Sequence, residues 1–306
     1  MFLMALICTL WWVGPAFADG NDKVLSLSFT TDGAQVALGV EASIIVLDSQ
    51  GAEVTRFDER LKTVGGFSAL SWDQTGQQLA AARYDGVIRV WEANQSRIRV
   101  TLNGHIGAVN GVAWAADVVA SAGDDLTVRL WELKTARPRQ ILTKHKDRVT
   151  AIAAAPDGAY IASGDADGIV LVWDVESGNS PSNPQAHKGA VRAICYAADG
   201  ETFLTGSDDG TSQLWRKTGV PFRTFKADSA VLAVGFSTEG QVLTFTRRGT
   251  LTIYNAEQPE SPVQVWSNLP EDARAAAFSP DGAYLALSDS NGSVLKYEVS
   301  SGKSLW

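Results

Sequence analysis

From residue 24 onward the chain reads as short apolar or alternating runs separated by tight turns. Thr127-Val128-Arg129-Leu130-Trp131 alternates apolar with polar, and Val87-Ile88-Arg89-Val90-Trp91 is apolar almost throughout. Both patterns belong to strands with at least one buried face. Gly, Asp, Asn and Ser punctuate these runs about every 8–12 residues, the spacing of successive strands in an all-β protein. No stretch after residue 18 carries the 3.6-residue period of an amphipathic helix.

The runs repeat. A turn with an acidic or polar residue before Gly recurs as Thr31-Asp32-Gly33, Gln74-Thr75-Gly76, Pro156-Asp157-Gly158, Ala198-Asp199-Gly200, Thr238-Glu239-Gly240 and Pro280-Asp281-Gly282. These glycines lie 43, 82, 42, 40 and 42 residues apart, and the long interval contains a copy with the shortened turn Ala115-Ala116-Asp117. A second landmark runs Leu47-Asp48, Trp91-Glu92, Trp131-Glu132, Trp173-Asp174, Trp215-Arg216, Tyr254-Asn255 and Tyr297-Glu298, at spacings of 44, 40, 42, 42, 39 and 43. Seven copies of about 41 residues match the period of four-stranded propeller blades. The pattern predicts an all-β, seven-bladed β-propeller of four-stranded antiparallel blades. Its blades fall at about 24–62, 63–104, 105–144, 145–186, 187–227, 228–268 and 269–306. Radial repetition leaves only short strand edges, and each sheet covers the apolar faces of its neighbours.

Three copies hold a further constellation: Gly104-His105, Ser121, Asp125 and Trp131; Lys144-His145, Ser163, Asp167 and Trp173; Ala186-His187, Thr205, Asp209 and Trp215. In each, the hydroxyl lies four residues before the Asp and the Asp six before the Trp, with His-to-Trp distances of 26, 28 and 28 residues. On these residues the chain from 24 to 306 resembles the WD-repeat β-propeller family. The resemblance implies a buried structural relay from indole N–H to hydroxyl to imidazole to carboxylate, each member donating to the next. It also implies that all three histidines are structural. The other copies depart from the pattern. The second keeps Asp85 and Trp91 but has Ala81 in the hydroxyl slot; the first has Ala37, Glu41 and Leu47; the sixth Thr244, Arg248 and Tyr254; the seventh Leu287, Asn291 and Tyr297. Those four blades are expected to rest on apolar packing, with blades three to five the stiffest arc. WD-repeat propellers commonly borrow an N-terminal strand to complete the last blade. Here only 19–23 precede the first inner strand, and 302–306 reads as the seventh blade's own outer strand, so closure is expected to rest on side-chain packing between the first and seventh sheets.

Residues 1–18 carry no charged side chain, and 1–13 are almost continuously apolar. A helix of that length spans only about 20 Å, too short to cross a bilayer. Gly14-Pro15 breaks the run, and Ala16-Phe17-Ala18 supplies small residues at the −3 and −1 positions of a cleavage site. The segment reads as a signal peptide cleaved after Ala18, which makes the protein secreted or periplasmic and leaves no transmembrane helix in the mature chain; no Lys or Arg precedes the apolar stretch, so the alternatives are a misassigned start, with a cytoplasmic protein, or a segment kept as an anchor. Cys195 is then the only thiol, set in an apolar run and read as a small packed hydrophobe.

Composition narrows the chemistry. The 306 residues carry 26 Lys+Arg and 34 Asp+Glu, a net charge of −8, and the basic residues are dispersed, which argues against nucleic acid as a partner. Ten Trp against three His and two Cys leave little material for a zinc site, a disulfide framework or histidine catalysis. Among the acidic clusters Asp124-Asp125, Asp165-Ala166-Asp167-Gly168 and Asp208-Asp209, the middle one resembles the start of a calcium loop but lacks the later ligands and the closing Glu. No nucleophile elbow, phosphate-binding glycine loop or metal-binding helix motif occurs. No catalytic residue, metal or cofactor is expected.

The relay places its His loops and Asp turns on one face of the disc. Beside it lie Arg83, Tyr84, Asp124, Lys146, Arg148, Asp165, Lys188, Asp208 and Arg247, the candidates for partner binding. In WD-repeat proteins that face commonly docks peptides or proteins. The expectation is therefore an exported, monomeric, non-enzymatic scaffold that docks a protein or peptide partner on this face. The alternative is a periplasmic propeller enzyme, or a cofactor-handling accessory protein, that uses the central funnel.

Overall fold

A computed structural model describes residues 23–59, 65–180, 186–289 and 291–306. The expected signal peptide at 1–18 lies outside the described residues. Within them the chain forms 26 strands in seven sheets and one 3-10 turn at Ala93–Gln95. Each sheet meanders in chain order through antiparallel hairpins, as in blade three: Val109–Ala115, Val118–Gly123, Val128–Glu132 and Arg137–Leu142. The first hairpin of six blades turns on the predicted glycines Gly33, Gly76, Gly158, Gly200, Gly240 and Gly282, all held at φ between 67° and 74°, where a side chain is penalised. In blade three Ala116 adopts φ 52° instead.

The innermost strands are Ser26–Phe29, Phe67–Trp72, Val109–Ala115, Val149–Ala154, Val191–Tyr196, Val231–Phe236 and Ala275–Phe278. Each touches both neighbours, and the last touches the first, so the seven close a ring around a central channel. The chain is a seven-bladed β-propeller of four-stranded antiparallel sheets, with three strands assigned in blades four and seven among the described residues. The apolar core lies between blades: Ala80, Ala82, Ile88 and Val90 of blade two pack on Val112, Trp114, Val119 and Trp131 of blade three. Small residues on the second strands let adjacent sheets approach, and each large apolar side chain so buried contributes about 1.5–3 kcal/mol. Outer strands alternate instead, as where Ile141 is exposed and Leu142 buried, because one face of the outer edge meets water.

Blades two to six share an irregularity at the start of the inner strand. The register slips so that Ser68, Asn110, Thr150, Arg192 and Leu232 have no partner across the hairpin. Such bulges re-aim a side chain out of the ladder. On blades two to four, the small polar residue at this place reaches the next blade's inner strand. Ser68 Oγ donates to Val109 O, Asn110 Nδ2 to Val149 O at 3.0 Å and Thr150 Oγ1 to Val191 O at 2.6 Å. Ser26 Oγ does the same to Phe67 O at 2.8 Å. These bonds stitch blades one to five together. At the equivalent places in blades five, six and seven stand Arg192, Leu232 and Arg274, and the stitching stops.

The first and seventh blades meet through Val24, Phe29, Val36, Leu38, Ala286 and Val294. Segment 303–306 lies along the strand Val294–Glu298. Glu298 N–H donates to Lys303 O at 2.9 Å, Leu305 N–H to Lys296 O at 2.7 Å, and Lys296 N–H to Trp306 O at 3.0 Å. Trp306 then crosses the seam: its Nε1 donates to Ser49 O of blade one at 3.1 Å, and its ring covers Gly51.

Candidate functional site

Three relays stand in adjacent blades. Trp131 Nε1 donates to Ser121 Oγ at 2.8 Å, Ser121 Oγ to His105 Nε2 at 2.7 Å, and His105 Nδ1 to Asp125 Oδ1 at 2.9 Å. In blade five Trp215 Nε1 donates to Thr205 Oγ1 at 3.0 Å, Thr205 to His187 Nε2 at 2.8 Å, and His187 Nδ1 to Asp209 Oδ2 at 3.2 Å. All three imidazoles are fully buried. Burial lowers the pKa of His105 and of His187, and the pull of Asp125 and Asp209 does not offset it. Burial also pushes the Asp125 carboxyl upward, but hydrogen bonds from Thr127, His105 and the Ile106 amide outweigh it and hold the group at about 2.

Blade four corrects the sequence reading. Trp173 Nε1 donates to Ser163 Oγ and Ser163 Oγ to His145 Nε2, both at 2.7 Å, but His145 Nδ1 donates to Asp165 Oδ2 at 2.8 Å. Asp167, the expected partner, is exposed, and its amide donates to Asp165 Oδ1. The cause is the residue two places after the hydroxyl. At that place in blade three a Cβ on Gly123 would lie 2.7 Å from His105 Nδ1, so a side chain there points at the imidazole. Gly123 and Ser207 leave the position to a carboxylate from the turn; Asp165 fills it.

The same place overturns Arg83 as a docking residue. Arg83 is 1% exposed, paired with Glu59 and Asp85, and its guanidinium lies 5.2 Å from the Phe67 ring centroid. Arg89 joins through Glu59 Oε1 at 2.8 Å. Blade two therefore holds a buried ionic cluster where apolar packing alone was expected. The missing hydroxyl at Ala81 leaves Trp91 Nε1 buried without a partner. Blade six shows the converse, with Thr244 Oγ1 unpartnered because Tyr254, in the Trp slot, donates to Lys226 O instead. Asp165, wholly buried, is also removed from the docking candidates.

Tyr84, Asp124, Lys146, Arg148, Lys188 and Arg247 are exposed on the relay face, and Asp208 is half-buried. Asp124 accepts from Asn110 Nδ2 at 2.8 Å. Ile106, which the sequence did not single out, is 79% exposed on that face. Its place directly after His105 was the available signal. Leu126, 39% exposed, is held at φ 66° where other blades place glycines. Inside this rim a cavity of about 570 Å³ opens at the channel mouth, lined by Ser68, Arg192, Leu232, Arg247, Asp272 and Arg274 among others. Arg192 and Arg274 were also missed, because their significance depends on the bulge position. Arg192 donates through Nε at 2.9 Å and through Nη2 to Asp208 Oδ2. Away from the mouth, burial raises the Cys195 thiol to about 11, which leaves it a poor nucleophile.

The family model described as "WD domain, G-beta repeat" matches residues 59–92, 96–132, 136–174 and 179–216. A curated relative, the anaphase-promoting complex subunit cdh1 of Dictyostelium discoideum, is 29% identical over 91 residues, which is 29% of this chain and 12% of that protein. The chain thus matches about an eighth of that relative's length. Among solved structures, a chain of the "Crystal Structure of Mitotic Checkpoint Complex" superposes with a TM-score of 0.82 at 20% identity, covering 90% of this chain and 87% of that one; this likeness concerns the fold. With four matched repeats, seven blades of one plan and the Trp-hydroxyl-His-Asp relays, the chain belongs to the WD-repeat β-propeller family.

Proposed function

We propose that the protein is an exported, non-enzymatic interaction scaffold that docks a partner protein or peptide on the face carrying the relay loops. One observation carries this reading: the relay displays the residue that follows its histidine. Asp125 Oδ2 accepts from the Ile106 amide at 3.1 Å, and Asp209 Oδ2 from the Lys188 amide at 2.9 Å. The same carboxylates that hold the buried imidazoles thereby fix the backbone that carries exposed side chains before any partner arrives, which reduces the ordering cost of association. Ser121, Ser163 and Thr205 and the three imidazole side chains have no solvent exposure, so the hydroxyl-imidazole pairs are closed off from a substrate. The relative is named as a subunit of the anaphase-promoting complex and the solved structure as the mitotic checkpoint complex, which supports a protein partner.

Amine-reactive cross-linking of the affinity-purified protein tests the reading. A stoichiometric protein joined through Lys146 and Lys188, and released by Ile106→Asp, is the expected result. Cross-links confined to Lys134 and Lys217, in turns on the opposite face, would overturn it. For the exported setting the expected mature chain begins at Asp19; intact protein beginning at Met1 in the cytosol would refute export.

A further inference from the structure

We propose that the partner presents carboxylate side chains, and that an acidic peptide segment seats at the channel mouth on blades five to seven, held by Arg192, Arg247 and Arg274. The inference rests on the docking reading and names the chemistry it serves. The bulge position supplies the argument. On blades one to four the equivalent small residues are occupied, each bonded to the neighbouring inner strand. On blades five and seven the position is an arginine that makes no such bond among the described residues, and both arginines line the cavity. Arg247, from the turn of blade six, enters the same cavity and is exposed over 53% of its side chain.

The local charge is unbalanced. Asp208 is shared: its Oδ2 accepts from Arg192, while its Oδ1 lies 4.0 Å from Arg247 and has no hydrogen-bond partner. Arg274 has no carboxylate partner among the described residues. Asp272 is the acid among the residues that line the mouth itself. Three guanidinium groups thus face two carboxylates, in a molecule whose net charge is −8. A planar guanidinium with free donors takes a carboxylate through two parallel hydrogen bonds. The acidic body of the protein does not favour a distant anion, so recognition is short-ranged and confined to this mouth. Leu232 and Ala273 give the floor an apolar strip for the peptide's backbone and stems.

Fluorescence polarisation with a short labelled oligoglutamate peptide, and with oligoglutamine and oligolysine of equal length, tests the proposal on the full mature chain. Oligoglutamate is expected to bind and the other two are not. Arg247→Gln and Arg274→Gln, both at exposed positions, are each expected to weaken binding about five- to tenfold with unchanged melting. Arg97→Gln on the outer rim is expected to leave it unaltered. Equal binding of oligoglutamine, or indifference to both mouth substitutions, would overturn the proposal. A partner cross-linked through Lys188 with no binding of oligoglutamate would fell the acidic chemistry and leave docking standing; a partner on the opposite face would fell both.

Discussion

In blade four the imidazole meets a carboxylate two residues after the serine, where blades three and five supply it four residues after the hydroxyl. Asp165 is wholly buried and accepts from His145 Nδ1, from the Asp167 amide at 3.1 Å and from the Ile169 amide at 2.9 Å. Removing it would orphan three donors, of which the His145 Nδ1–H is fully buried. Asp165→Ala is therefore expected to lower unfolding free energy by about 2–3 kcal/mol, and Asp167→Ala to stay within about 0.5 kcal/mol of wild type. Urea midpoints of the two variants measure the difference; equal losses would contradict the assignment. Spacing alone could not separate these acids, because both lie in one short turn and a constant interval favours Asp167. The discriminating fact is which side chain points at the ring, and that depends on strand pleat and on what fills the preceding position. For Arg83 the limit was different: its partner Glu59 lies 24 residues away, and nothing in a local pattern announces such a pair.

At the scale of the blade, strands and turns were legible because they obey local rules: period-two burial, and glycine where the backbone is left-handed. The relays were legible through the resemblance to WD-repeat propellers, apart from the carboxylate of blade four, because a Trp, a hydroxyl, a His and an Asp need one another to avoid orphaned polar atoms. Blades two and six show that dependence from the other side, one with an indole lacking its hydroxyl and one with a hydroxyl lacking its indole. The intact relays also make stability depend on pH. His105 and His187 have folded pKa values below 6.5, because burial disfavours the imidazolium. As pH falls below about 6.5, the unfolded chain takes up protons that the folded chain does not. Stability is thus complete above that value and is lost as pH falls through the depressed folded pKa, by at most about 1.4 kcal/mol per pH unit for each histidine. Denaturant midpoints are expected to be lower at about pH 5.5 than at about pH 7.5, with a shallower slope in His187→Gln. Stability that rises on acidification would mean that the Asp125 and Asp209 charges dominate burial.

For the whole disc, the seam between blades one and seven is where the described ends of the chain meet. Among the described residues the stitches between inner strands run from blade one to blade five and none is seen from five to seven; the seventh blade meets the first by packing, by a long hydrogen bond from Ser288 Oγ to Val24 O at 3.5 Å, and by two larger side chains. One is Lys296, almost fully buried, with Nζ 4.1 Å from the Tyr284 ring centroid and 5.9 Å from that of Phe29; burial lowers its pKa, against the pull of Asp281 and Asp48. The other is Trp306, which ties its own strand to Lys296 and reaches across to Ser49 and Gly51. A Cβ at Gly51 would lie 2.9 Å from the indole, so the glycine is what lets the ring lie flat on the turn. Trp306→Ala removes both the ring contact and the hydrogen bond and should destabilise the protein by about 2 kcal/mol, since the ring is only half-buried. Trp306→Phe keeps the packing and should lie between the two. The effect belongs to the seam, so amide exchange should quicken in strands Val36–Gly39 and Ser43–Leu47 of blade one while Val118–Gly123, Tyr160–Asp165 and Thr202–Ser207 keep wild-type protection. Uniform quickening around the ring would show that the disc opens as one unit, and unchanged exchange in blade one would show that Trp306 closes nothing.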